Sequence, residues 1–143
     1  MRSNAEMTRY NYLISEIESV YHEAALRFGL SDSAMMTLYV LSGQGGSCPL
    51  SALPYYTGLS KQTLNSAVRK LEGEGLIESV AVGARKKELR LTESGRRLCG
   101  GTVERLIAAE NDIFETWSPA EREQYLTLTQ RYLDAIRAKV KDL

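Results

Sequence analysis

Apolar positions along the chain fall into helical runs interrupted by one alternating pair. Met7, Tyr10, Ile14, Ile17, Tyr21, Ala24 and Phe28 step by three and four without a miss, and Leu13 and Val20 widen the stripe. This spacing predicts a long amphipathic helix with a seam like that of a bundle or coiled coil. Gly29 follows in the position where a left-handed residue commonly ends a helix. Ser31 can cap a second helix that carries Met35, Leu38, Tyr39 and Leu41. The glycine-rich stretch from Gly43 to Pro49 predicts a loop. A short third helix opens at Ser51, with Leu53 and Tyr56 expected to face inward and Pro54 tolerable only in its first turn.

Thr57-Gly58-Leu59 predicts a tight turn into a fourth helix capped by Ser60. In that helix Leu64, Ala67, Val68 and Leu71 lie at i, i+3, i+4 and i+7, so one face is core-seeking. Gly73 and Gly75 supply the stop. At about 100° per residue, Gln62, Asn65, Ser66 and Arg69 share the opposite face. Two short helices joined by a glycine-containing turn make a helix-turn-helix, whose second helix enters the major groove. Gln and Asn side chains pair bidentately with adenine and Arg with guanine, which is the chemistry that face offers.

Two short alternating segments come next, Leu76 to Val80 and Lys87 to Leu91, around Gly83-Ala84-Arg85-Lys86. Strand, basic tip and strand directly after a recognition helix describe a wing, with Arg85, Lys86 and Lys87 placed to reach phosphates or the minor groove. Thr92 and Glu93 start a fifth helix running through Leu98, Val103, Leu106, Ile107, Ile113 and Phe114. Gly100-Gly101 interrupts its interior at a cost of about 1 kcal/mol per glycine relative to alanine. Side-chain-free turns permit close backbone approach or a kink, so tight packing or a small-molecule cavity is expected there, with a neutral surface lapse as the alternative. Ser118-Pro119-Ala120-Glu121 is a capping box with proline at its first helical position, and the last helix carries Leu128, Tyr132, Leu133, Ile136 and Val140. The expected order is α-α-α-α-β-β-α-α, a mainly helical winged helix-turn-helix.

Charge sharpens this picture. The 143-residue chain has no net charge, yet the segment from Ser60 to Arg97 holds nine bases against five acids. A neutral protein with one basic segment can hold DNA locally while its other surfaces stay acidic. No apolar stretch approaches the roughly 18 residues that span a bilayer, and Glu6, Arg9, Glu16 and Glu18 interrupt every secretory candidate. A soluble, cytoplasmic protein without membrane association is expected. Two cysteines, Cys48 and Cys99, make no disulfide framework, and His22 as the single histidine leaves no metal-ligand cluster and no cofactor site. The chain offers no Ser/His/Asp constellation, phosphate loop or paired carboxylates, so it is read as a non-enzyme.

The motifs Leu59-Ser60-Lys61-Gln62-Thr63, Val68-Arg69-Lys70-Leu71-Glu72, Gly75-Leu76-Ile77 and Leu91-Thr92-Glu93-Ser94-Gly95-Arg96 give the chain a resemblance, nearly end to end, to the MarR family of bacterial winged-helix transcription regulators. That resemblance implies a homodimer, joined through residues 1–30 and 93–143, that presents two DNA-binding lobes of residues 31–92 to a palindromic operator. It implies double-stranded DNA as partner and a ligand-responsive repressor, with a small aromatic or phenolic effector held between the dimer region and the lobe. Carried onto this sequence, the DNA-binding residues are Ser60, Lys61, Gln62, Thr63, Asn65, Ser66, Arg69, Lys70, Arg85, Lys86 and Lys87. The dimerisation residues are Met7, Tyr10, Ile14, Ile17, Tyr21, Leu128, Tyr132, Ile136 and Val140. The family's usual aspartate two residues before the wing arginine is here Gly83, which leaves Arg85 a phosphate contact rather than an ordered minor-groove finger.

Two other readings compete. A winged helix can serve as a protein-interaction module without DNA binding. A thiol-based redox sensor is the other, and it requires an exposed cysteine of low pKa in a cationic setting. Cys99 follows Arg96 and Arg97, whereas Cys48 has no adjacent base.

Overall fold

The computed structural model describes residues 1–143 and contains seven α-helices and three short strands. They are α1 (Ala5–Phe28), α2 (Asp32–Gly43), β1 (Ser47–Pro49), a 3-10 turn (Leu50–Ala52), α3 (Leu53–Thr57), α4 (Lys61–Gly73), β2 (Ile77–Gly83), β3 (Lys86–Leu91), α5 (Glu93–Gly101), α6 (Val103–Glu115) and α7 (Pro119–Lys141). The chain divides into two compact units, Met1–Ile107 and Ala108–Leu143. No helix is long and apolar enough to cross a membrane.

Helix starts follow the capping residues. Ser31, Ser60, Thr92 and Ser118 each accept a hydrogen bond from a backbone N–H in the first turn of the following helix. Asn4 does the same for α1, accepting from Met7 N at 2.7 Å. Gly29 (φ 68°) and Gly58 (φ 68°) adopt the left-handed conformation that ends α1 and α3, where a side chain would be strained. In the first unit, the apolar faces of α2 and α4 meet the hairpin around Leu38, Leu41, Leu53, Leu71 and Leu89, all essentially excluded from solvent.

Three expectations are corrected. The stretch after Gly46 is not all loop, because Ser47–Pro49 forms β1 and pairs antiparallel with β3 in a sheet of order β1-β3-β2. A three-residue strand has no room for an alternating pattern, and only its partner reveals it. Tyr56 does not face inward and is 46% exposed, with its ring edge-on to that of Tyr55. The fifth helix is two helices, broken at Thr102 (φ −132°, ψ −95°). Two adjacent glycines make this the least costly place to interrupt the run.

Gly100-Gly101 therefore marks a break rather than a site of tight packing or a cavity. A Cβ at Gly101 would meet nothing within 4 Å, and one at Gly100 only Glu104 Oε2 at 3.7 Å. Gly100→Ala and Gly101→Ala are thus expected to leave stability unchanged or to raise it by up to about 1 kcal/mol each. Thermal unfolding checks this, and a marked loss in either variant would show that the break needs glycine.

In the second unit the turn into α7 is held by its own side chains. Ser118 N donates to Glu121 Oε1 at 2.8 Å and Glu121 N donates to Ser118 Oγ at 3.1 Å, the reciprocal pair of a capping box. Hydrogen bonding to its carboxylate from the Ser118 backbone, and then from the Ser118 side chain, holds the Glu121 carboxyl below the usual range. Arg122 donates to the carbonyls of Phe114 and Trp117, both at 2.9 Å, and the rings of Phe114, Trp117 and Tyr125 pack edge-on.

Candidate nucleic-acid interface

The recognition helix α4 sorts its residues as the spacing predicts. Leu64, Ala67, Val68 and Leu71 are buried, and Gln62, Asn65, Ser66, Arg69 and Lys70 are exposed. Lys61, Gln62, Asn65, Ser66 and Arg69 line one open depression of about 490 Å³. Beside it, a groove of about 870 Å³ runs between α4 and the hairpin. Lys61 and Asn65 stand on its helix side, and Arg85, Lys86 and Lys87 on its wing side. Pro49, Leu50, Ala81 and Val82 are among its apolar lining residues, with Glu88 at its margin. The structure thus brings the recognition helix and the wing cations onto one continuous surface.

These cations are unengaged. None of Lys61, Arg69, Lys70, Arg85, Lys86 and Lys87 takes part in the ion pairs of the chain, which join His22 to Asp32, Arg27 to Glu23, Arg90 to Glu88 and Arg97 to Glu93. Glu88, which lines the same groove, has its carboxyl held below its ordinary range by hydrogen bonding to Ser47 and Arg90. Lys61, Arg85, Lys86 and Lys87 line the groove and Arg69 the depression beside it, and these unpaired positive charges form an electrostatic footprint for a polyanion.

Ser60 and Thr63 take a different part from their neighbours. Ser60 Oγ accepts from Thr63 N at 3.2 Å and donates to Thr63 Oγ1 at 2.9 Å. Their hydroxyls are occupied in starting the helix, so they fix its entry angle. Arg85 lies at the tip of the wing with φ 61°, a left-handed conformation that costs an L-residue about 1 kcal/mol. Sequence reasoning missed β1 and the 3-10 turn as a wall of the groove, since neither carries a polar motif.

The family comparison agrees with this geometry. Residues 28–88 match the MarR family model. That match covers most of the winged-helix lobe, which is similar to the MarR family there. No curated protein matches the sequence. Among solved structures, a MarR family regulator from Silicibacter pomeroyi is 25% identical, with 94% of this chain and 97% of that one covered at a TM-score of 0.72. A MarR family regulator from Neisseria meningitidis is 20% identical, covering 97% and 99%, at a TM-score of 0.84. MepR from S. aureus, solved as a complex with DNA, is 18% identical, covering 94% and 99%, at a TM-score of 0.69.

The motifs that carry the resemblance mark the joints between the recognition helix and α5. Thr92 Oγ1 donates to Gly75 O at 2.6 Å and accepts from Gly95 N at 3.0 Å, while Thr92 N donates to Leu76 O at 3.1 Å. The exit of the recognition helix and the start of α5 are thereby locked together. Both cysteines sit inside the core of the first unit rather than on its surface. Burial, and then the Glu104 carboxylate, push the Cys99 thiol up to about 11 against the opposing pull of Arg96. Burial and Glu88 raise that of Cys48. Neither has the exposed, thiolate-favouring setting that a redox sensor needs.

Proposed function

We propose that this protein is a DNA-binding transcription regulator, a homodimer whose recognition helix reads the major groove and whose wing holds the backbone. The observation that carries the reading is the single open surface shared by Lys61, Gln62, Asn65, Ser66 and Arg69 with the wing cations, none of them neutralised by an acid. The likeness of its fold to MepR, a protein solved on DNA, supports the same assignment. Two lobes related by a two-fold axis call for an inverted-repeat operator. Release of the operator on binding a small aromatic or phenolic effector, and hence repression, complete the reading.

Salt-dependent binding to a labelled random-sequence duplex pool tests it. Lys86→Ala combined with Lys87→Ala is expected to weaken binding to all sequences and to reduce the slope of log affinity against log salt by about one to two units. A protein that binds no duplex at low salt would favour the interaction-module reading.

Dimerisation rests on apolar stripes that the single chain leaves uncovered. On α1, Tyr10, Ile14 and Ile17 are exposed and Met7 is half-buried, while Tyr21, Ala24 and Phe28 lean on the chain's own core. On α7, Leu128, Tyr132, Ile136 and Val140 are exposed. Contiguous patches of this kind are uncommon on monomers. Sedimentation at micromolar concentration is expected to give a species of twice the 16.0 kDa chain, and a monomer alone would contradict the proposal.

A further inference from the structure

Glu72 stands out on the helix that carries it. The recognition helix presents Lys61, Arg69 and Lys70 to solvent and then, in its last turn, places this exposed carboxylate. An acid beside a surface that meets phosphates repels them, so its presence needs a compensating role. The structure supplies a partner, because Ser79 Oγ donates a hydrogen bond to Glu72 Oε1. None of the chain's ion pairs includes Glu72.

The location of Ser79 gives this bond its consequence. Side chains alternate along β2, so Ile77, Ser79 and Ala81 share one face. Ile77, at the base of the wing, is buried in the core, whereas Ala81, farther out, lines the groove together with Lys61 and Asn65 of α4. On the strand, the Glu72–Ser79 bond falls between these two positions. β2 is also an edge strand of the sheet, paired to β3 on one side. A side-chain tie from α4 to this strand limits how far the hairpin can swing against the helix.

We propose that Glu72 is a positioning residue that sets the angle between wing and recognition helix through Ser79, so that both engage one duplex together. This rests on the DNA-binding reading above. Loss of the tie leaves Lys86 and Lys87 on a looser hairpin, and their contribution to binding falls.

The test measures binding of a labelled random-sequence duplex pool across salt concentrations. The unmodified protein, Glu72→Ala, Glu72→Gln and Ser79→Ala are each compared with and without Lys86→Ala/Lys87→Ala. In the unmodified protein the lysine pair carries about one to two units of salt slope. In Glu72→Ala and in Ser79→Ala it is expected to carry roughly half of that or less, the non-additivity of coupled sites. Glu72→Gln keeps an oxygen for Ser79 while losing the charge, and should retain the full lysine contribution. Ser79→Ala repeats the test from the strand side, so the result does not hang on one variant's folding. Equal lysine contributions in every background would overturn the inference, as would identical behaviour of Glu72→Ala and Glu72→Gln, which would reduce Glu72 to its charge. If the unmodified protein binds no duplex, the DNA-binding reading fails and takes this inference with it.

Discussion

Arg69→Ala and Gln62→Ala are each expected to relax base preference at particular operator positions, costing about 1–3 kcal/mol on the preferred site. Both side chains are exposed on α4, opposite Leu64, Ala67, Val68 and Leu71, and share an open surface with Asn65 and Ser66. Forked donors so placed can pair with base edges when the helix lies in the major groove. Lys70, on the flank of that face, is placed instead for phosphates, while Thr63 is engaged with the Ser60 cap. Removing a reader should therefore change which sequences a random duplex selection enriches, while leaving general affinity largely in place. Stability should move by no more than about 0.5 kcal/mol, as for most surface changes. Arg69 is the sharper case, because its long side chain can also swing to a phosphate. Equal loss of preferred and random DNA in both variants, with the enriched sequences unchanged, would make these residues holders rather than readers.

Gly95→Ala is expected to be the most damaging single-methyl change in the lobe. A Cβ at Gly95 would lie 2.0 Å from Leu76 O and 3.3 Å from Leu91 Cδ2. The carbonyl is backbone and cannot swing aside. It is also held in place, since Leu76 N donates to Leu71 O at 3.0 Å and Thr92 N donates to Leu76 O at 3.1 Å. The methyl group must push the first turn of α5 off the exit of the recognition helix, breaking the joint made by Thr92. Overpacking of this kind costs about 1–3 kcal/mol and occasionally more. For a chain of this size that lowers the melting temperature by roughly 2–12 °C. Gly100→Ala is the matched control, carrying the same added methyl on the same helix with open space around it. Indistinguishable melting of the two variants would refute the close approach at Gly95.

Those two glycines show where sequence reasoning stops. Gly100-Gly101 draws attention because paired glycines are unfavourable inside a helical run, and that local cost does locate the break before α6. Gly95, in the Leu91-Thr92-Glu93-Ser94-Gly95 motif, offers no such local signal. Its requirement comes from the carbonyl of Leu76, nineteen positions earlier in the chain. The wing tip is similar. A basic turn is legible in Ala84-Arg85-Lys86-Lys87, but the left-handed backbone of Arg85 is imposed by the two strands that the turn must join.

The sequence by itself determined the helix starts, through the side-chain caps Ser31, Ser60, Thr92 and Ser118, and the buried face of α4, through a spacing that matches 3.6 residues per turn. It also determined which polar and basic side chains oppose that face. These are local properties, set by neighbours within a turn or two. Tertiary structure alone decided the pairing of β1 with β3, the outward turn of Tyr56, the burial of both cysteines and the tie from Glu72 to Ser79. Each of these depends on which remote segment arrives opposite, and hydrogen bonds and packing between distant residues leave no periodic trace in either partner.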